Sequence, residues 1–169
     1  MASFIALLRA VNVGGTGKLP MSELKSMCEA AGFEQVRTYI ASGNVVFKSR
    51  LSEAKVKALL EARLEIYAGK PVDVMVRSHA ELAAVLTNNP FPDAPGNRCL
   101  AIFLHAPPPS DTLSRITGQN DERVALGSRE IYVHYGAGMA SSKLKIPAAA
   151  KGTARNMNTV AKLAEMSSG

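Results

Sequence analysis

The sequence predicts an α+β fold in one globular domain spanning residues 1–169. Its first half, residues 1–77, reads as a ferredoxin-like βαββαβ unit. The second half, residues 78–169, reads as a degenerate α/β copy interlocked with the first. Three observations lead there. Residues 4–8 are apolar on both alternating sets, Phe4/Ala6/Leu8 and Ile5/Leu7, as a strand buried on both faces requires. Segments of period two and period 3.6 then follow in the order β-α-β-β-α-β. The second half repeats the βαββ part of that order without sequence identity. A ferredoxin-like sheet has helices on one face only, so the second half is the expected cover for the other face of the first strand.

Each element has a local reason. After the first strand, Pro20 suits a helix's first turn, and Met21, Leu24, Met27, Cys28 and Ala31 recur at helical spacing up to a stop at Gly32. "FEQVRTYIASGNVVFKS" holds two β-rich runs broken at Ser42-Gly43-Asn44. Ser52 caps a second helix with a Val56, Leu59, Leu60 and Leu64 stripe, Gly69 ends it, and "PVDVMVR" is a strand. Beyond it come a short helix near residues 80–88, the turn-rich "NNPFPDAPGN" and the strand "RCLAIFLHA". "PPPSDTLSRITG" holds a stop and a short capped helix, and "ERVALGSREIYVHY" is a hairpin with a type II′ corner at Gly127-Ser128. Residues 136–156 are loop-rich with one helical turn, and Met157–Met166 is a final helix.

Composition narrows the classes of function. Hydrophobic residues make up 47% of the chain and aromatic ones 5%, which implies an aliphatic core. No window reaches the roughly 18 uninterrupted apolar residues of a membrane span. Residues 2–11 lack a basic leader and a signal-type cleavage site, and Arg9 interrupts them, so they read as a strand. Cys28 and Cys99 match no metal or redox spacing and are expected to be buried free thiols in a reduced, cytoplasmic setting. His79, His105 and His134 share no spacing with acids or cysteines, so no metal site is expected, nor any cofactor. The net charge of +6 is uneven: residues 1–77 carry 11 Lys/Arg against 7 Asp/Glu, and residues 136–169 carry 5 against 1. Such basic ends suit either a solvated surface or an anionic small molecule or nucleic acid.

The chemistry-bearing stretch is "LLRAVNVGGTGKLP", an apolar run followed by a glycine-rich loop. It is no P-loop: Asn12 stands where the first glycine belongs, and Leu19 follows Lys18 in place of Ser or Thr. The G-x-G-x-x-G fingerprint does not complete either. Anion binding remains open to it, through glycine backbone N–H groups, a following helix start, and the charges of Arg9 and Lys18. So does a structural use, with Gly14, Gly15 and Gly17 serving only a turn.

In a ferredoxin-like sheet the end of strand one and the start of strand three share a rim. Asn12, Gly14, Gly15 and Lys18 would there meet Ser42 and Asn44, with Arg9 beside them. The two asparagines would equally serve to tie the loops together through backbone hydrogen bonds. From the basic tail, Arg155 and Asn156 of "TARN" would add a cation beside a helix start. Those nine residues are the candidate ligand-binding set. No general base accompanies them, and G-x-S-x-G is absent around Ser42, so catalytic residues stay unassigned. An RNA-recognition reading needs aromatics on strand three, where only Phe47 stands.

"LLRAVNVGGTGKLPMSEL", "VRTYIASGNVVF", "NNPF" and "GTARNMNTVAKL" together resemble the domain-of-unknown-function 1697 family of bacterial proteins. The resemblance runs in order along nearly the whole chain. The chain departs from the family where Ala10-Val11 replaces Gly-Ile, Ala41 replaces Gln and Met157 replaces Trp. The resemblance implies a bacterial fold and assigns no activity. Three kinds of function therefore stand: a binding protein for a phosphate-bearing or other anionic ligand, such as a nucleotide or nucleic acid; a protein-interaction module with a purely structural glycine loop; and an enzyme of unassigned reaction, with Arg9, Lys18 or Arg155 as electrophilic stabilisers. The oligomeric state is open.

Overall fold

The computed structural model describes residues 1–12, 18–136 and 139–168. They form mixed α+β structure, the class the sequence predicts, with two four-stranded antiparallel sheets and four α-helices. The chain divides into two compact units, Met1–Leu82 with the residues from Leu163 onward, and Ala83–Lys162.

The first unit runs β1 (Ala2–Leu8), α1 (Met21–Ala30), β2 (Glu34–Thr38), β3 (Asn44–Ser49), α2 (Glu53–Ala68) and β4 (Val74–Ser78). Its strands lie in the order β2-β3-β1-β4, with β1 antiparallel to both β3 and β4. Each of the two βαβ crossovers is thereby split by an inserted strand. Phe4, Ala6 and Leu8 of β1 pack with Val45 and Phe47 of β3 against Leu24 and Cys28 of α1 and Val56, Leu60 and Leu64 of α2. Ile5 and Leu7, on the alternate set, are also fully buried, so β1 is buried on both faces. Burial of one such side chain stabilises by about 1.5–3 kcal/mol.

Local signals set the helix ends. Gly32, at φ +91°, turns the chain after α1, and the Phe33 N–H returns to the Cys28 carbonyl at 3.1 Å. The Ser52 hydroxyl accepts from the Lys55 N–H at 3.3 Å to cap α2, and Gly69 closes that helix at φ +73°.

The second unit takes in the end of α3 (His79–Thr87), then β5 (Cys99–Phe103), β6 (Arg123–Leu126), β7 (Glu130–His134), β8 (Thr153–Asn156) and most of α4 (Met157–Met166). Its sheet order, β6-β7-β5-β8, repeats that of the first unit position for position. The repetition extends to a detail: Leu8 N–H donates to the Gly43 carbonyl, and Leu104 N–H donates to the Arg129 carbonyl, both at 2.9 Å. Each bond joins the end of a unit's first strand to the residue before its third. In place of a second crossover helix, Leu144, Ile146, Ala148 and Ala149 of an irregular segment pack onto Ile102, Leu104, Ile131 and Val133.

The structure departs from the sequence expectation in three places in this unit. The expected helix near residues 110–117 is only a 3-10 turn, Leu113–Arg115, begun by a Thr112 hydroxyl bond to Pro109. Prolines 107 to 109 remove consecutive N–H donors before it. Gly127 lacks the positive φ of a type II′ turn. It is small because a Cβ there would stand 2.9 Å from the Tyr132 ring. Finally, Thr153–Asn156 is a strand rather than loop, completed by pairing with β5.

Both cysteines are free and buried. Burial pushes the Cys28 thiol up to about 12, with Glu29 adding to the shift, and raises that of Cys99 against a lowering by Arg123. Thiolate is the reactive form. A thiol reagent should therefore label neither residue in the native protein, and both only once denaturant unfolds it; fast native labelling would contradict this burial.

The Glu122 carboxyl is held below the usual carboxylate range, first by the Asn120 N–H and next by the Ser142 hydroxyl. A folded-state pKa below the unfolded one adds stability above the ordinary carboxylate range, which is lost as pH falls through the lowered value. Glu122→Gln should flatten that acid-side decline in a pH series of melting temperatures.

Candidate functional site

The site is built on the rim where β1 ends. Leu7 pairs with Asn44 and Leu8 with Val74, so the starts of β3 and β4 lie beside that end. The crossover helices follow the strands they connect, so the start of α1 and the end of α2 reach the same rim. Close approach shapes it. A Cβ on Gly43 would lie 2.6 Å from Val11 Cγ2 and 2.9 Å from Leu8 Cβ, and Gly43 has φ +90°. Only glycine meets both conditions.

Asn12 closes the base of the glycine-rich loop. Its Oδ1 accepts from the Leu19 N–H at 2.6 Å, and its Nδ2 donates to the Leu19 carbonyl at 2.9 Å and the Ala41 carbonyl at 2.8 Å. One side chain thus joins both ends of the loop and the neighbouring β2–β3 connection. Asn44 is fully buried and its Nδ2 donates to the Tyr39 carbonyl and to Ser42 Oγ, both at 2.8 Å. The tying role open to these asparagines is what their side chains perform. Ala10, Asn12 and Ile40 all have φ between +50° and +57°, so three non-glycine residues of this rim hold left-handed backbone. The Ala10 φ of +57° is one that glycine adopts without steric cost.

Beside these clasps lies a cleft of about 870 Å³. Its walls are the end of β1 with Arg9, Ala10 and Val11, the loop base with Lys18 and Leu19, the last two turns of α2, and residues 70–73. Among the lining side chains Arg9, Lys18 and Lys70 are cationic, and Glu61, Glu65 and Asp73 are acidic. Lys57 bridges two of those acids, Glu61 and, at 3.4 Å, Asp73, while Glu61 also accepts from the Val74 N–H at 3.0 Å. This network joins α2 to the start of β4. Its pairs are about a third exposed, so solvent screens them and each adds little stability.

The predicted residues are thus divided. Arg9 and Lys18 line the cleft, whereas Asn12, Ser42 and Asn44 bond within and between the rim loops. Gly14 and Gly15 lie outside the described residues. Arg155 and Asn156 belong to the second unit. Arg155 is buried in β8, where Nη1 donates to Thr153 Oγ1 at 2.6 Å, and burial pulls its pKa down to about 10, still cationic at neutral pH. Asn156 Oδ1 accepts from the Thr159 N–H at 2.9 Å, which caps α4. Sequence reasoning missed Glu65, Tyr67 and Lys70, although the βαββαβ order places the end of α2 at the rim of β1.

The histidines are placed separately. His79 Nδ1 bonds Ser167 Oγ at 2.8 Å, and His134 Nδ1 accepts from Arg123, whose guanidinium lies 4.6 Å from the Phe91 ring centroid. Among the described residues, no group of three or more His, Cys, Asp or Glu is placed to hold a metal ion.

Comparison with known proteins agrees with the quoted motifs. The model of a protein family described as of unknown function, DUF1697, matches residues 1–132. The chain belongs to this family. A solved structure of the conserved bacterial protein SP0830 from Streptococcus pneumoniae is similar to it, with a TM-score of 0.82, 26% identity and 98% of each chain covered. That similarity extends the likeness over the final residues, beyond the family match. No curated protein matches the chain. No helix among the described residues is long and apolar enough to cross a membrane.

The clasp predicts distinct stability effects in this family member. Asn12→Ala removes three hydrogen bonds at a left-handed position and should destabilise by about 2 kcal/mol in denaturant titrations. Gly43→Ala should cost at least as much, because overpacking adds to backbone strain. Ala10→Gly should be neutral or stabilising by up to about 1 kcal/mol, as relief of left-handed strain outweighs glycine's entropy cost. A destabilised Ala10→Gly variant would contradict the strain account.

Proposed function

We propose that the protein binds a small phosphate-bearing ligand in the cleft at the end of β1, with Arg9 and Lys18 as the groups facing its anion. The observation that supports this most is the joint presence of these two cations on the wall of an 870 Å³ cleft. That volume lies within the ~300–1,000 Å³ usual for small-molecule sites. Apolar lining from Val11, Leu19, Leu64, Pro71 and Val72 would reduce the local dielectric and strengthen a charge contact. The start of α1 adds to this: Pro20 offers no side-chain oxygen to its first N–H groups, and a helix N-terminus favours negative charge. In this reading Asn12 is a positioning residue, since it holds the loop base from which Lys18 extends.

A mononucleotide fits this volume and charge better than a nucleic-acid strand, which needs an extended basic track. An interaction module is the second reading, supported by Leu59, Ile66 and Tyr67, exposed apolar side chains on α2.

Titration calorimetry with inorganic phosphate and pyrophosphate tests the first reading. Binding should weaken as salt rises. Lys18→Ala should weaken pyrophosphate binding roughly three- to fivefold, the scale of one partly exposed charge pair, without moving the melting temperature. Absence of binding at millimolar phosphate and pyrophosphate, or an unchanged affinity in Lys18→Ala, would overturn it.

A further inference from the structure

One side chain of α2 keeps the core-facing register without reaching the core. Val56, Leu60 and Leu64 form the inward stripe of that helix, and all three are buried in the core of the first unit. Tyr67 continues the stripe at helical spacing, yet it is 46% exposed and lines the cleft. The stripe thus outruns the core, and its last member meets open space. The buried phenylalanines of this unit find one another: Phe33 stacks on Phe47 with centroids 4.3 Å apart, and Phe4 lies 6.2 Å from the same ring. The Tyr67 ring meets no other aromatic ring and no cation among the described residues, and its hydroxyl makes no hydrogen bond among them. Long helical side chains lean toward the preceding turn, which carries this ring back toward Leu64, itself a cleft residue. Gly69 ends the helix two residues later, and Pro71 and Val72 beyond it give the cleft a further apolar wall. Glu65 and Lys70 lie at the same end and offset one another, so recognition there falls to the ring and the apolar walls.

A half-exposed ring with apolar neighbours and no ring partner suits a flat apolar group. An inorganic phosphate held by Arg9 and Lys18 would leave most of the 870 Å³ cleft, and this wall of it, to water. A sugar phosphate, polar on every side, would gain nothing from the ring. From this placement we infer that the ligand is a nucleotide whose base stacks on Tyr67. Every base has a π-face, so such stacking rewards the presence of a base without choosing among bases. The inference rests on the anion-binding reading and adds the base and its place. Tyr67 becomes the residue that separates a nucleotide from a sugar phosphate.

The test compares three probes by titration calorimetry: pyrophosphate, ribose 5-phosphate and adenosine monophosphate. Adenosine monophosphate should bind tighter than ribose 5-phosphate by roughly fivefold or more, the lower end of a base-stacking contact. Tyr67→Ala should abolish that advantage while ribose 5-phosphate and pyrophosphate bind as before, which also shows that the variant is folded. Tyr67→Phe keeps the ring and should keep the advantage. If ribose 5-phosphate binds as tightly as adenosine monophosphate while pyrophosphate remains sensitive to Lys18→Ala, the stacked base is wrong and anion binding stands. If adenosine monophosphate keeps its advantage in Tyr67→Ala, the base lies elsewhere and the inference is likewise overturned. If none of the probes binds, both readings fall together.

Discussion

β1 has neither an exposed face nor a free edge, and the first unit is organised around that constraint. It pairs with β3 on one side and β4 on the other, and both of its alternating side-chain sets are buried. A strand so enclosed has only its ends through which the chain can leave. Every backbone polar group near its end still needs a partner. The Leu8 N–H finds the Gly43 carbonyl and the Arg9 N–H finds the Asp73 carbonyl, both at 2.9 Å. Those two bonds bring the loops before β3 and β4 against the β1 terminus. The glycine at 43 and the left-handed residues at 10, 12 and 40 are consequences of that crowding.

The same constraint makes the cleft. Splitting each βαβ crossover by a strand brings the start of one helix and the end of the other to a shared rim, so opposite dipole poles meet there. The asparagines hold loops, and charged side chains beside them line the cleft. Geometry and chemistry are thus divided among neighbouring residues: Asn12 and Asn44 satisfy backbone groups, while Arg9, Lys18 and Glu65 line open space. Arg9 and Lys18 lie on the loop's flanks, and Glu61 and Glu65 come from a helix some forty residues later.

The second unit shows how far one sheet order survives when its helices are replaced. β6-β7-β5-β8 repeats β2-β3-β1-β4, down to the bond from the end of the first strand. Where the first unit uses α2 to cover its sheet, the second uses a segment with 3-10 turns at Met139–Ser141 and Pro147–Ala149. Its Leu144 and Ile146 face inward while Lys143 and Lys145 are exposed. Alternation along an extended segment buries one set of side chains as a helical stripe would.

The sequence by itself determined most of the first unit, because its signals are local. Ser52 and Gly69 bound α2, Gly32 stops α1, and the doubly apolar run of residues 4–8 requires an interior strand. Each depends on φ preference, capping or alternation within a few residues of chain. Tertiary structure alone decided the rest. "TARN" lacks strand alternation and becomes β8 because the second edge of β5 needs hydrogen-bond partners. Gly127 is small for the sake of a ring five residues away, and Arg155 is buried in a strand rather than offered to solvent. The cleft, too, depends on tertiary structure: Arg9, Lys18, Glu65 and Tyr67 become neighbours only when the split sheet closes. Pairing between distant strands settles such contacts, and no short stretch of the chain encodes them.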